Sequence, residues 1–280
     1  MEMKPRGTFV RSGKVKDIYD LGGDQLLFHF TDRVSAFDVI LPSTIPRKGE
    51  VLCKLSSFFF ETLGVPNHMV STEGPNTMVV SKMAMIPVEC VARGYVYGSL
   101  YDRLMRGEVA LPVQKVLAEK LPAPYFDPTT KSDVKDEPIT EAEIVSEGRM
   151  STPELAEVKA STLDVYAKIG ERALRAGFIL ADLKLEFGRK DGRVLLGDSI
   201  GPDEFRMWPS ERYAPGRTQD SYDKQPVRDW LSAAGYKAAL DQARKSGAPT
   251  PAPPSLPSDL VTLVSDRYVR IYEALTGRAL

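Results

Sequence analysis

Residues 179–187 read Ile179-Leu180-Ala181-Asp182-Leu183-Lys184-Leu185-Glu186-Phe187. Strict alternation puts Ile179, Ala181, Leu183, Leu185 and Phe187 on one face and Asp182, Lys184 and Glu186 on the other, which predicts a β-strand with a core face. Lys190-Asp191-Gly192 then predicts a tight turn, and Arg193 to Asp198 returns as the second strand of a hairpin that starts at Phe178. That pairing brings Asp198 within a residue or two of Lys184 and Glu186. Two carboxylates beside a lysine suit a Mg²⁺-nucleotide, because hard oxygens hold the cation while an ammonium neutralises phosphate oxygens. Taken alone, a charged strand face is more often a solvated surface.

Upstream, Thr8 to Val10, Val15 to Leu21 and Leu26 to Thr31 are β-rich runs separated by Ser12-Gly13 and Gly22-Gly23-Asp24, which predicts a meander. Leu52, Leu55, Phe59 and Leu63 recur at helical spacing over Val51 to Leu63, ahead of Gly64 and Pro66. Met78 to Ser81 and Val88 to Ala92 read as further strands, and Leu121 to Pro138 as a long polar loop of the kind that is functional or disordered. Ser151 or Thr152 caps the clearest helix, whose stripe of Leu155, Val158, Thr162, Val165, Ile169 and Ala173 ends at Gly177. Pro226 to Lys245 and Asp259 to Leu275 read as two more helices, joined by an exposed linker over Gly247 to Ser258. The last helix, with Leu260, Leu263, Tyr268 and Ile271, can pack internally or against a second copy of the chain.

The chain has 280 residues, 42% of them hydrophobic and 27% charged, enough for one large domain or two packed lobes. Two lobes around one cleft are expected. A net charge of -1 offers no global field for nucleic acid or an anionic membrane, so any phosphate site must be a local cluster. With no long apolar span and no apolar leader, the expected location is the cytoplasm. Cys53 and Cys90 sit in apolar runs and read as reduced core thiols. With only His29 and His68 present, a histidine triad or zinc centre is not expected, and carboxylates, lysines and arginines must carry any mechanism.

Other charged segments gain meaning beside the hairpin. Gly13-Lys14-Val15-Lys16-Asp17 puts a turn before a strand with Lys14 and Lys16 on one side, able to cover phosphates, although it is neither a Walker A loop nor a dinucleotide fingerprint. Val88 to Gly94 places Glu89 and Arg93 inside an apolar run, where an uncompensated charge costs several kcal/mol. Such charges require a ligand or a counter-ion. Arg206 and Lys224 are further candidates for anions.

Together these segments resemble the SAICAR synthetase family of purine biosynthesis. The likeness runs through Gly13 to Tyr19, Ser35-Ala36-Phe37-Asp38, Ile45 to Gly49, Pro87 to Arg93 with Gly98-Ser99, Asp182 to Gly188, Leu196-Gly197-Asp198, Pro202-Asp203 and Asp223 to Trp230, in order over nearly the whole chain. The resemblance implies an α+β fold of two lobes, similar to ATP-grasp and kinase-like nucleotide binders. An N-terminal antiparallel-sheet lobe (1–87) would cover the nucleotide, and a larger mixed lobe (88–280) would carry the metal and ribotide sites. It implies a carbon–nitrogen ligase that joins carboxyaminoimidazole ribotide (CAIR) and L-aspartate with ATP, through an acyl phosphate, to give SAICAR, ADP and phosphate.

Carried onto this sequence, the resemblance implies ATP contacts at Gly13, Lys14, Lys16, Lys82, Glu89 and Lys184. It implies Mg²⁺ ligation by Glu186 and Asp198, which with Lys184 form the catalytic group. Arg93, Ser99, Arg206 and Lys224 would hold CAIR, and Lys131 and Asp133 the aspartate. Three positions depart from the family pattern. Tyr97 stands for a small residue, Ser199 for a second acid after Asp198, and Asp136 for a histidine. The competing class is a nucleotide-binding regulatory module or a kinase-like phosphotransferase, but His-Arg-Asp and Asp-Phe-Gly signatures are missing from the sequence. A kinase would not need the cluster of Arg93, Ser99 and Arg206.

Overall fold

A computed structural model describes residues 5–131 and 136–280. The β-rich opening forms β1 (Thr8–Ser12), β2 (Lys16–Asp20) and β3 (Gln25–Phe30), an antiparallel meander. A separate hairpin follows, β4 (Arg33–Ala36) and β5 (Val39–Thr44), turned by Phe37 and Asp38 at φ 52° and 64°. Helix α1 (Lys48–Thr62) leads to β6 (Met69–Thr72) and β7 (Thr77–Ser81), which complete the first sheet in the order β1-β2-β3-β7-β6. The apolar stripe on α1 was legible, but Val51, Cys53, Phe58 and Phe60 are buried as well. The helix contacts β3, β6 and β7 of this sheet and also the C-terminal helix.

The second sheet belongs to the larger lobe. It begins with β8 (Ala84–Tyr95), followed by α2 (Ser99–Arg106), β9 (Lys120–Phe126), β10 (Thr129–Thr130), α3 (Glu141–Ser146) and α4 (Thr152–Arg175). Then come β11 (Phe178–Lys190), β12 (Arg193–Gly197) and β13 (Phe205–Pro209). The chain closes with α5 (Gln225–Ala233), α6 (Tyr236–Ser246) and α7 (Ser258–Thr276). Long strands β8 and β11 are the spine of the sheet, with β9 and β10 paired to β8, and β12 and β13 to β11. The result is an α+β fold of two lobes, each built on an antiparallel sheet. Among the described residues no helix is long and apolar enough to cross a membrane.

Three expectations need correction. The stretch from Leu121 to Pro138 is not all loop, since it contains most of β9 and all of β10; Pro122 and Pro124 are tolerated because β9, among the described residues, pairs only with β8 and lies on an edge. Pro226 to Lys245 is two helices, broken at Gly235, whose φ of 80° leaves the helical region. The segment 247–258 is anchored at two points. Leu256 is buried and its N–H donates to Ser43 Oγ at 2.8 Å, while Pro251 O accepts from the Tyr236 hydroxyl at 3.1 Å.

Helix α4 shows how the core supports the site. Ser151 and Glu154 form a reciprocal capping box, and the stripe from Leu155 to Ala173 packs the helix on β8 and β11. Tyr166 on that stripe donates to Leu180 O at 2.8 Å, and its oxygen lies 1.9 Å from where a Cβ on Gly94 would stand. Gly94 therefore lets the helix sit flush beside Arg93. Gly94→Ala should displace Tyr166 and lower stability by about 2–4 kcal/mol. Urea denaturation checks this, and a midpoint equal to wild type would contradict the packing described.

Candidate active site between the lobes

The register of β11 on β8 sets Asp182 opposite Arg93, Lys184 opposite Val91 and Glu186 opposite Glu89. Glu89 and Arg93 of β8 and Asp182, Lys184 and Glu186 of β11 thus share one face. Asp182 and Glu186 are buried, so this face is not a solvated surface. It forms the floor of a cleft of about 680 Å³ roofed by the first sheet.

Charge pairing holds the floor together. The Lys184 ammonium lies 2.8 Å from Glu89 and 3.3 Å from Glu186. Burial opposes its charge, but Glu186, Glu89 and Asp198 outweigh that cost and hold it protonated far above the ordinary lysine range. Burial also raises the Glu89 carboxyl, against the pull of Lys184. Glu186 takes a second ion pair from Lys131.

The hairpin register matches expectation, with Glu186 opposite Gly197 and Asp198 one residue beyond. Asp198 adopts a left-handed φ of 58° that turns it out of the strand. Its carboxylate meets Lys16 from the first sheet, and Lys16 also sits 4.7 Å from the Phe28 ring centroid. Burial would raise the Asp198 carboxyl, but Lys16 and Lys184 hold it well below the usual range. His68 supports it from behind. Its Nε2 is 3.2 Å from Asp198 O, and because a carbonyl only accepts, Nε2 carries the proton. Burial, then Lys16, push this imidazole down to about 4, so it is neutral. The same segment stitches the lobes together, since Leu196 N donates to Pro66 O at 2.9 Å and His68 N to Leu196 O at 3.0 Å.

A smaller pocket of about 180 Å³ adjoins the cleft and contains Arg93, Ser99 and Arg206. Arg93 is fixed by Asp127 at 2.6 Å, by Ser99 at 3.1 Å and by Asp182 at 3.5 Å. Arg206 pairs with Asp182 and lies 3.9 Å from Asp223. Arg206 Nε, Glu204 Oε2 and Asp223 Oδ2 are buried here without a hydrogen-bond partner, a pattern that suits a polar ligand. Cleft and pocket share Lys184, Asp203, Glu204 and Arg228.

Most of the expected residues converge. Gly13, Lys14, Lys16, Glu89, Lys131, Lys184, Glu186, Asp198 and Lys224 line the cleft, and Lys14 is paired with Asp38. Lys82 does not line it; its ammonium is bound to Asp20 at 2.9 Å and to Gly23 O at 2.9 Å. Lys224 lines the cleft rather than the smaller pocket with the other three CAIR candidates, and Asp133 lies outside the described residues. Among the described residues no three His, Cys, Asp or Glu side chains form a ready metal shell. Cys53 and Cys90 are free and buried, as expected.

The three departures have local explanations. Tyr97 does not line the pocket; it packs edge-on to Trp208 at 5.0 Å, with the Arg206 guanidinium 5.7 Å from its ring. Ser199 accepts from Lys16 and donates to Glu204 Oε1, each at 3.3 Å, so an acid still stands nearby. Asp136 lines the cleft near Glu89. Sequence reasoning passed over Glu204, Arg228, His68 and the buried Lys48–Asp203 pair. The motifs containing Lys48, Asp203 and Arg228 were in view, but nothing local marks His68 as a neighbour of Asp198, 130 residues away.

Burial, then the charges of Asp203 and Asp198, push the Glu204 carboxyl up to about 8. The folded chain therefore binds one more proton than the unfolded chain between 4.5 and about 8, and loses stability as pH rises through that window. Glu204→Gln should escape this loss, so its urea midpoint should gain on wild type between about pH 6 and about pH 8.5. Parallel pH profiles for the two proteins would contradict the assignment.

Comparison with known proteins places this geometry in a family. The sequence model described as SAICAR synthetase matches residues 9–243. A phosphoribosylaminoimidazole-succinocarboxamide synthase of Nitrosopumilus maritimus is 48% identical over 274 residues, 97% of this chain and 99% of the relative. One from Corynebacterium efficiens is 39% identical, over 95% of this chain and 90% of the relative. Among solved structures, SAICAR synthase from Saccharomyces cerevisiae complexed with SAICAR superposes with a TM-score of 0.82 at 31% identity, covering 97% of this chain and 95% of the other. A SAICAR synthetase in complex with ADP gives 0.73 at 27% identity, covering 96% and 98%. The chain belongs to the SAICAR synthetase family.

Proposed function

We propose that the chain is the ATP-dependent ligase that joins the carboxylate of CAIR to the amine of L-aspartate, giving SAICAR, ADP and phosphate in purine biosynthesis. Family membership over nearly the full length supports this reading. The observation that carries it is the junction at Lys184, Asp203, Glu204 and Arg228, where a nucleotide-sized cleft meets an arginine-lined pocket. Two anionic substrates can meet there.

In this reading the adenine side of ATP enters between Leu26, Val80 and Met85, with its phosphates toward Gly13, Lys14 and Lys16. Lys184 meets the phosphates from the floor. Arg93, Ser99 and Arg206 grip the ribotide, a task suited to the guanidinium fork, and Lys224 approaches it from the cleft side. The CAIR carboxylate, a poor electrophile, takes the γ-phosphoryl group to become an acyl phosphate, and the aspartate amine then displaces phosphate. Cations and orientation carry most of the rate, because the reaction moves negative charge between fixed anions. Lys131 and Asp133 are the proposed aspartate contacts.

Glu186 and Asp198 fit a divalent cation: both are hard oxygen donors that line the cleft, each ion-paired to a lysine. Mg²⁺ commonly uses one or two carboxylates and completes its shell with phosphate oxygens and water, so the lack of a third acid is no obstacle. When bound, Mg²⁺ would neutralise phosphate charge. We place the reaction in the cytoplasm and the division between lobes near residue 87.

ADP release by purified protein with Mg²⁺ and ATP should require CAIR, and SAICAR should form only when aspartate is added as well. ATP binding without that turnover would leave the fold standing and overturn the ligase reading. Asp198→Asn should keep the fold, since asparagine tolerates the left-handed conformation, yet lower kcat on the order of 10²–10³-fold. Wild-type turnover in that variant would remove Asp198 from the mechanism.

A further inference from the structure

Helix α7 lies beyond the residues that the family model spans, yet it reaches the junction. The Tyr268 hydroxyl donates to Asp203 Oδ1 at 2.6 Å. Lys48 and Lys224 each place an ammonium 2.8 Å from the other oxygen, Oδ2. Lys48 is fully enclosed, whereas the Lys224 side chain is 15% exposed and lines the cleft, so Lys224 is the lysine of the pair that can touch a ligand. The residue before Tyr268 holds the adjoining loop: Arg267 pairs with Asp220 at 2.7 Å and donates to Ser221 O. That loop runs directly into Asp223 and Lys224.

We propose that Tyr268 is a positioning residue for the ribotide side of the reaction: by occupying Asp203 Oδ1 it fixes the carboxylate plane and holds the Lys224 ammonium at the junction. This rests on the ligase reading above. Without the phenol, Oδ1 would be a buried anionic oxygen with no donor, a costly arrangement that the two nearby lysines could relieve only by moving. The carboxylate would rotate to share both oxygens, drawing Lys224 away from the substrate. Burial and the Asp203 charge push the phenol well above its ordinary range, so it remains a donor throughout the working pH range.

Tyr268→Phe removes one hydroxyl and keeps the ring in its slot. In the full chain, kcat/KM for CAIR should fall about 10- to 100-fold, while KM for ATP stays within about twofold and the melting temperature within a few degrees. CAIR affinity measured by calorimetry should fall in parallel. In the Lys224→Met background the same change should produce no further loss, because Tyr268 acts through Lys224. Wild-type kinetics in Tyr268→Phe, an equal loss for ATP and CAIR that tracks melting, or additive losses in the double variant would each overturn the inference. Wild-type protein that neither binds nor turns over CAIR would instead overturn the ligase reading, and this inference with it.

Discussion

The register between β8 and β11 is the constraint on which the site depends. It gathers Glu89, Arg93, Asp182, Lys184 and Glu186 on one face that is withdrawn from water. Buried charges are tolerable only with counter-charges, so other elements must supply them. Lys131 comes from the segment after β10, Arg206 from β13 and Asp127 from just past β9, while Lys16 from the first sheet pairs with Asp198 beside them. Ion pairs such as Lys16–Asp198 join the lobes alongside a continuous apolar core. A one-residue slip of β11 would carry Asp182, Lys184 and Glu186 into the core beneath α4.

The electrostatics also explain why the site suits anionic substrates although the chain as a whole is nearly neutral. Lysines and arginines at the junction are paired with carboxylates that fix their positions, and their remaining N–H groups can face the cleft. Preorganised donors of this kind lose little on binding, because their orientation is set before the ligand arrives. Glu204 adds a carboxyl that keeps its proton near neutrality, which lowers the negative charge beside Asp203 where phosphate and carboxylate must meet.

Much of this was legible in the sequence. Alternation in 179–187 located β11 and its charged face, and the turn at Asp191-Gly192 set Asp198 beside Glu186, because those signals are local and periodic. The β9 strand was hidden by Pro122 and Pro124, which are signs of a loop except on a sheet edge. The break at Gly235 was hidden by good helix formers on both sides. Lys82 sits next to cleft residues Ser81 and Met83, but its side chain turns toward Asp20, and no sequence pattern fixes which way a side chain points at a strand end. His68 and Tyr268 act on partners far along the chain, which periodicity does not reveal.

The carboxylate of Asp203 gathers residues from positions 48, 224 and 268. During synthesis a chain grows from its N-terminus at about 5–20 residues per second, and early elements can pair as they emerge. Both sheets are complete once β13 has been made, but the last donor to Asp203 arrives only with α7. The anion-binding junction is therefore finished only after residue 268 has been made: a nascent chain stalled before α7 lacks the donor that holds Asp203 Oδ1.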